Sequence, residues 1–440
     1  MLHSRRCYID GTFTEATVEI QDGKISRVIR GTSAKAGATD FGDAVLMPGC
    51  IDAHVHVNEP GRTDWEGWDS ATQAGSAGGI TTIVEMPLNA SPVTIDRASF
   101  EAKQTAMEGK LHVNVGLYGG LVPQNRDRMT ELAECGVLGI KAFLTHSGID
   151  EFPNVTAEDL DVAMPVLAQL GLPLLVHCEL DAPGTTAALQ NDPRSYAAYL
   201  ASRPTSWENE AIRLMIDCCR KYNCPVHIVH VSSAEALALI ETAKSEGLPL
   251  TSETCPQYIL FNAEAIPDGQ TVYKCAPPIR EAANNARLRA ALKSGVLDFL
   301  ASDHSPAPPE TKEIESGNLL KAWGGIAGLQ YLLPASWTAL RGELSLEQFI
   351  PLLTEAPARF LGMDHRKGYI REGYDADLLL WQPESTFTPT ATSTLHRHKI
   401  SPYIDRPLYG VVAKTIVNGA PVWNGAQIEL KQQGQWLSRK

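Results

Sequence analysis

The sequence predicts an α/β fold: a (β/α)8 barrel with a small β-sandwich domain that both termini build together. Three observations carry this prediction. Eight apolar, strand-like segments alternate with helical stretches through the middle of the chain, and turn-rich β patterns occupy both ends. In addition, 44% of the 440 residues are hydrophobic, which is enough for a large buried core.

The two ends of the chain share a pattern of short β-type runs separated by tight turns. The stretch YIDGTFTEATVEIQDGKISRVI contains Asp-Gly twice between strand-like runs, and GYIREGYDADLLLWQP and VVAKTIVNGAPVW repeat the pattern near the other end. We therefore predict that residues 1–48 and 366–440 form one small β-sandwich domain, which requires the two ends to meet in space.

Residues 49–365 are predicted to form the barrel domain, entered by a strand that begins just before residue 49. The candidate strands are LMPGCIDAHVH, ITTIVEMP, VNVGLYGG, VLGIKAFL, PLLVHCE, PVHIVHVS, PLTSETCP and DFLASDHSP. Most are rich in Val, Ile and Leu without alternation, as expected of strands buried on both faces. Eight such βα units in succession predict a TIM barrel, in which functional side chains lie at the carboxyl ends of the strands.

Composition argues against several classes of partner. A formal net charge of −13 disfavours a nucleic-acid-binding surface, and no apolar run approaches the roughly 20 residues that span a bilayer. The opening MLHSRRCYIDGTF turns polar at once, and the nine cysteines include no C-x-x-C pair. We therefore expect a cytoplasmic protein with free thiols that acts on a small molecule, with neither nucleic acid nor membrane as a partner.

Two histidines close the first predicted barrel strand, in the stretch VLMPGCIDAHVHVNEPGR. His54 and His56 are two residues apart on a strand, so their side chains point to the same face and can chelate one ion. Alone this H-x-H pattern is weak evidence for a metal site, because two histidines on one face can also belong to a strand that faces solvent.

Four further polar residues follow apolar strands at the same end. His177 ends LLVH, His230 follows HIV, Asp303 follows LAS, and Lys141 lies within GIKAFL. Singly, each histidine could be a hydrogen-bonded core residue and Asp303 a turn or helix cap. Lys141 is the most informative, because a charged lysine in an apolar strand is costly to bury. Its amine either reaches solvent or has been altered, for instance by carbon dioxide to an anionic carbamate.

Together these six side chains predict a centre for two divalent metal ions. Imidazoles, a carboxylate and a bridging carbamate suit zinc, with cobalt, nickel, iron or manganese as alternatives. Two such ions can activate water and polarise a carbonyl group, which is hydrolytic chemistry. Asp303 can serve as ligand and as the catalytic base that carries a proton to a leaving nitrogen.

The strand-end set and the tail GYIREGYDADL resemble the amidohydrolase superfamily, in particular its cyclic amidohydrolase branch of dihydroorotases, hydantoinases and allantoinases, over nearly the whole chain. The resemblance implies a TIM barrel beside a small β-sandwich, ring opening of a cyclic amide, and a homo-oligomer, commonly a tetramer. It also implies roles for the six residues: His54, His56 and Asp303 on the first metal, His177 and His230 on the second, and a carboxylated Lys141 as the bridge.

Dihydroorotases are the less fitting branch, because they carry an arginine and an asparagine that bind the substrate carboxylate. Those positions are Asn58 and Ala276 here. The stretches WEGW, EMPLN, SDHSPAPPE, KAWGGIAGLQ and RHKISPY are similar to those of bacterial allantoinases, whose substrate allantoin is a neutral ring with a ureido arm. A hydantoinase stays an alternative, although His146 stands near the place where an aromatic hydroxyl is expected. A non-catalytic scaffold is a third reading, and it predicts lost ligands.

Four residues are predicted to contact the substrate by this resemblance. They are Asn89, His146, Ala276 and Gly324, of which the last two would act through their backbone. Gln257 replaces a histidine in the related CPHY motif, and the resemblance assigns it no role.

Overall fold

The structure, a computed structural model, describes residues 1–31, 33–429 and 432–439. Its strands are β1 (Leu2–Ile9), β2 (Thr12–Gln21), β3 (Lys24–Arg30), β4 (Thr39–Asp40), β5 (Val45–Pro48), β6 (Cys50–Val55), β7 (Ile80–Glu85), β8 (Asn114–Leu117), β9 (Gly119–Gly120), β10 (Ile140–Phe143), β11 (Leu174–His177), β12 (Val226–Ile228), β13 (Leu250–Thr254), β14 (Phe299–Leu300), β15 (Leu378–Phe387), β16 (Leu408–Val417), β17 (Ala420–Trp423) and β18 (Trp436–Leu437).

The α-helices are α1 (Trp68–Ala77), α2 (Arg97–Met107), α3 (Met129–Glu134), α4 (Ala157–Leu170), α5 (Ala187–Asn191), α6 (Tyr196–Ser202), α7 (Thr205–Tyr222), α8 (Leu237–Ser245), α9 (Pro256–Leu260), α10 (Ala282–Ser294), α11 (Leu332–Leu340), α12 (Leu346–Phe349) and α13 (Glu355–Phe360). Local sequence explains where several begin. The Asp96 carboxylate accepts the Ser99 backbone N–H at 2.8 Å and so caps α2.

The strands from β6 to β14 form a parallel barrel with eight strand positions, which confirms the predicted (β/α)8 architecture. All neighbouring strands run parallel from β6 through β14, with β8 and β9 forming one strand position because β8 pairs with β7 and β9 with β10. A parallel bridge between Val55 and His304 closes the barrel. The backbone N–H of His56 donates to the His304 carbonyl at 2.8 Å across this junction.

The small domain is one sheet built from both ends of the chain, in the order β17-β16-β15-β5-β1-β2-β3, with β4 added beside β1. The sheet folds over, since a Cβ built on Gly23 would lie 3.1 Å from the carbonyl oxygen of Asn418 near the opposite edge. Ile25, Leu46 and Leu378 belong to the separate apolar core that it encloses. The predicted β-sandwich from both termini is therefore confirmed.

The last strand departs from the predicted division of the chain. Trp436 and Leu437 pair in parallel with Val115 and Gly116 of β8, so this strand extends a barrel sheet. The assignment of residues 366–440 to the small domain therefore does not describe β18. A two-residue strand has too little pattern to be recognised. Its position depends on tertiary contacts, including an edge-on contact of 6.0 Å between the rings of Trp436 and Phe100.

All nine cysteines are buried free thiols. Within the described part of the chain, no helix has both the length and the apolar character that a membrane crossing requires.

Candidate metal centre

The six predicted ligands converge on one cavity of about 360 Å³ at the carboxyl ends of the barrel strands. His54 lies on β6, Lys141 on β10 and His177 at the end of β11, whereas His230 and Asp303 follow β12 and β14 within three residues. All six side chains line the cavity: His54, His56, Lys141, His177, His230 and Asp303. The order of parallel strands thus brings together residues that are far apart in sequence.

His54, His56 and Asp303 form one cluster. Their potential ligand atoms all lie within 4.8 Å of one another, and all three side chains are buried. Asp303 Oδ1 is 3.3 Å from His54 Nε2 and 3.6 Å from His56 Nε2. The Nδ1 atom of His56 lies 3.1 Å from the Leu88 carbonyl, which can only accept, so Nδ1 carries the proton and Nε2 is free to bind a cation.

His177 and His230 form a second cluster. Nδ1 of His177 lies 3.0 Å from Nε2 of His230. Burial lowers the pKa of both imidazoles, and the mutual repulsion of their charges lowers that of His230 further. Two neutral ring nitrogens at this separation can share a proton or face a single cation.

Lys141 lines the same cavity, and within the described part of the chain its buried amine has no hydrogen bond that would offset the cost of burying it. The residue has no solvent exposure, and Nζ finds no hydrogen-bond partner among the described residues. Burial lowers the pKa of Lys141 to about 8, and Nζ lies 4.9 Å from the centroid of the Phe143 ring. A buried amine of lowered pKa is nucleophilic when neutral, so the site suits a lysine that reacts with carbon dioxide.

A second layer of carboxylates orients the histidines, and the sequence did not reveal it. On β13, Glu253 lies 2.5 Å from His54 Nδ1 through one carboxylate oxygen and 3.1 Å from His227 Nε2 through the other. Burial opposes its ionisation, but the charge of His54 and the hydrogen bonds of both histidines outweigh burial and lower the pKa of Glu253 to about 2. An ionised Glu253 fixes the proton of His54 on Nδ1 and leaves Nε2 facing Asp303.

Glu179 plays the same part for the second cluster. Its carboxylate lies 2.7 Å from His177 Nε2 and accepts two hydrogen bonds from the guanidinium of Arg203. Burial raises the pKa of Glu179, but Arg203 and His177 outweigh this effect and lower it to about 2. Glu179 follows His177 by two residues in HCE, a spacing that could have revealed it.

Two of the cavity residues have strained backbones. His230 has φ of 39° and Asp303 has φ of 46°, both in the left-handed region that side chains with a Cβ avoid. Such strain costs on the order of 1–3 kcal/mol and persists only where the surroundings impose it. The turns that follow β12 and β14 therefore aim these two side chains inward at the expense of backbone energy.

The predicted substrate contacts Asn89, His146, Ala276 and Gly324 also line the cavity. His146 lies at the rim with 61% of its side chain exposed, and its Nδ1 accepts the Gly148 N–H at 3.1 Å. Ala276 and Gly324 lie side by side in the cavity lining, since a Cβ built on Gly324 would lie 3.6 Å from that of Ala276.

The sequence profile of the Amidohydrolase family matches residues 45–422, most of the chain and all six predicted ligands. This chain belongs to the amidohydrolase family. An allantoinase from Arabidopsis thaliana is 42% identical to this amidohydrolase over an aligned length of 439 residues, gaps included, which covers 95% of this chain and 87% of the relative. An allantoinase from Streptomyces avermitilis is 41% identical over an aligned length of 444 residues, gaps included, which covers 100% of this chain and 98% of the relative.

Solved structures share the architecture of this amidohydrolase. The L-hydantoinase (dihydropyrimidinase) from Arthrobacter aurescens superimposes with a TM-score of 0.91 at 31% identity, and the match covers 100% of this chain and 99% of that structure. The predicted resemblance to the cyclic amidohydrolase branch is therefore confirmed.

Two positions noted in the sequence lie outside the lining of the amidohydrolase cavity. Asn58 is buried, and its amide donates to the Pro306 carbonyl at 3.4 Å, so its short side chain takes no part in a substrate clamp. Gln257 is also buried. It accepts a hydrogen bond from the Tyr403 hydroxyl at 3.3 Å and donates to the Ser302 carbonyl at 3.4 Å, which supports the turn that carries Asp303.

Proposed function

We propose that this amidohydrolase opens the hydantoin ring of allantoin to give allantoate. One observation carries the proposal: curated allantoinases from a plant and a bacterium are more than 40% identical to this chain across nearly all of its length. A match of that extent includes the barrel, the small domain and every residue that lines the cavity.

The residues present fit a pair of divalent metal ions. His54, His56 and Asp303 would hold one ion, His177 and His230 the other, and a carbamate on Lys141 would link the two. The unpartnered Nζ of Lys141 and the opposed nitrogens of His177 and His230 support this assignment. Zinc suits the donor set best, with cobalt, nickel, iron or manganese as alternatives. When bound, such a pair activates water and polarises the ring carbonyl.

Asp303 supplies the proton transfer in this proposal. Burial opposes its ionisation, but the charge of His54 and the hydrogen bond of His56 outweigh burial and lower the pKa of Asp303. As a carboxylate it takes a proton from the attacking water while the water oxygen bonds to the ring carbonyl carbon. The ring C–N bond then breaks, and Asp303 returns the proton to the leaving nitrogen. The products are a carboxylate and a free ureido nitrogen on one open chain.

The charges around the cavity favour a neutral substrate. Two of the cations that line it are already engaged: Arg203 is bound through two nitrogens to Glu179, and Lys274 donates to the Ala322 carbonyl at 2.5 Å. Neither is free to form a bidentate pair with a substrate carboxylate, and Lys321, which also lines the cavity, offers only a single charged nitrogen. Allantoin, a neutral ring, therefore suits the cavity better than dihydroorotate.

A hydantoinase is the second candidate, because the Arthrobacter aurescens structure matches over the full length of both chains.

In either case we propose a homotetramer working in the reducing cytoplasm, a setting in which the nine buried thiols stay free. Light scattering of the purified protein tests the oligomeric state.

Steady-state kinetics on three substrates test the proposed reaction. Metal-loaded enzyme is assayed with allantoin, unsubstituted hydantoin and dihydroorotate under identical conditions, and kcat/KM is compared. We expect allantoin to be preferred over each competitor by at least about tenfold, the discrimination that one or two matched polar contacts provide. A higher kcat/KM for either competitor would refute the assignment and leave the hydrolase reading intact.

A further inference from the structure

The buried side chain of Lys312 donates hydrogen bonds to three backbone carbonyls. Nζ donates to the carbonyl oxygens of Lys274 at 2.7 Å, Trp323 at 2.9 Å and Gly325 at 2.5 Å. The residue is 5% exposed, and within the described part of the chain it forms no ion pair with a carboxylate. Burial lowers the pKa of Lys312 to about 7, but three carbonyl acceptors require three N–H donors, which only the ammonium form supplies.

The three carbonyls belong to two adjoining walls of the substrate cavity. Lys274 and Ala276 lie on one wall, and Trp323 and Gly324 on the other, and all four residues line the cavity. The walls meet closely, because a Cβ built on Gly324 would lie 3.6 Å from that of Ala276. One side chain from outside both segments therefore joins them.

Further hydrogen bonds make the two walls and the loop of Lys312 a single unit. The backbone N–H of Trp323 donates to the Thr311 carbonyl at 2.9 Å, and its indole N–H donates to Ser305 Oγ at 3.2 Å. Nζ of Lys274 also donates to the Ala322 carbonyl at 2.5 Å, which is a second hydrogen bond between the two walls. The loop that follows Asp303 is thereby tied to both walls.

We propose that Lys312 is a positioning residue that sets the spacing between the Ala276 and Gly324 walls and thereby the choice of ring substituent. The inference rests on the proposed function, because it assigns these walls to the recognition of the arm carried by a hydantoin ring. A buried ammonium costs solvation energy that an apolar side chain of equal length would not. Three matched carbonyls offset that cost, and without the ammonium they would be left unpaired and the walls would separate.

The substitution Lys312→Met tests this, because methionine has nearly the same length and no donor. We expect kcat/KM for allantoin to fall on the order of tenfold to a hundredfold, mainly through KM, as misplaced binding walls predict. For unsubstituted hydantoin, which lacks the ureido arm, we expect a change of less than about threefold. Bound metal should be unchanged. Lys244→Met is the control, since Lys244 also donates to a backbone carbonyl, that of Val296 at 2.8 Å, and does not line the cavity, although it pairs with Asp298 as well.

Hydrogen exchange gives a second measurement that needs no substrate. Peptides spanning residues 320–325 should exchange faster in Lys312→Met than in the wild type or Lys244→Met. If the wild type proves inactive on allantoin, the proposed function fails, yet faster exchange at 320–325 still supports the wall-spacing role. Unchanged exchange together with an unchanged allantoin-to-hydantoin ratio would overturn it. Should the methionine variant not fold, Lys312→Arg is compared in the same way, because a planar guanidinium cannot direct three donors as an ammonium does.

Discussion

A carboxylate oxygen of Glu253 lies 2.5 Å from Nδ1 of His54, although the two residues belong to the seventh and the first strand positions of the barrel. The other oxygen of Glu253 lies 3.1 Å from His227, so one buried carboxylate fixes two rings. The orientation of a residue at the proposed metal centre thus depends on a neighbour that does not line the cavity.

Replacing Glu253 with glutamine should weaken metal binding. The amide retains the shape of the side chain but one of its two acceptor oxygens becomes a donor, so His54 and His227 can no longer both donate to it. We expect affinity for the divalent ions to fall about tenfold to a hundredfold, measured by competition with a chelator. Glu246→Gln, an exposed glutamate paired with Arg220, is the control. Equal affinity in Glu253→Gln would show that the contact does not orient the ligand.

Replacing Lys141 with alanine should remove the link between the two ions. Elemental analysis should show fewer than two metals per chain, with activity lost, because a bridging carbamate can no longer form. Bicarbonate with a short carboxylic acid should restore part of the activity by filling the gap. Lys221→Ala, at an exposed lysine paired with Asp161, serves as control. Wild-type metal content and rate in Lys141→Ala would mean that the lysine is only structural.

Replacing Asp303 with asparagine should lower kcat by roughly 10²–10⁴-fold, the usual contribution of a general acid–base group. An amide cannot carry the proton from water to the leaving nitrogen. The loss should appear in kcat more than in KM, with unchanged circular dichroism. The exposed Asp217→Asn gives the control, and a kcat within threefold of wild type in Asp303→Asn would exclude the proposed proton transfer.

His396 predicts a pH dependence of stability away from the cavity. Burial, followed by the charge of His304, lowers the pKa of His396 from 6.5 to about 3, and its Nε2 accepts the Gln330 N–H at 3.2 Å. Between pH 6.5 and 3 the unfolded chain binds a proton that the folded chain does not, so stability is lost as the pH falls through this window.

The substitution His396→Gln removes this titration while keeping an acceptor for Gln330. Between pH 7.5 and 5.5 the wild type should lose about 1.4 kcal/mol more unfolding free energy than the variant, measured with urea. His365→Gln, at an exposed histidine, should behave as the wild type. Identical slopes in wild type and His396→Gln would contradict the prediction.

The barrel and the residues that line its cavity could both be predicted from the sequence, for the same physical reason. Strands buried on both faces read as apolar runs, and residues that face the cavity interrupt those runs at the carboxyl end, as His54, His177 and Asp303 do. That the six side chains act as ligands stays a prediction, as do the four substrate contacts.

The residues that support the cavity lining from behind were not predicted, because their role depends on which neighbours they contact in the fold. Glu253 lies within a strand and Lys312 in a loop full of prolines and charges, and neither position differs visibly from an ordinary surface residue. Their importance appears only when the rings or carbonyls they contact are in place. At Asn58 the sequence predicted that the carboxylate-binding arginine of dihydroorotases is missing, and the buried side chain lies outside the cavity lining.

The sheet order of the small domain has a consequence for biosynthesis. Strand β5 pairs with β1 on one side and with β15 on the other, and the whole barrel is translated between β5 and β15. At a synthesis rate of about 5–20 residues per second, the first strands wait tens of seconds for their partner. Until then the β5 edge is open to a foreign strand. The nascent chain is therefore most exposed to aggregation until β15 leaves the ribosome.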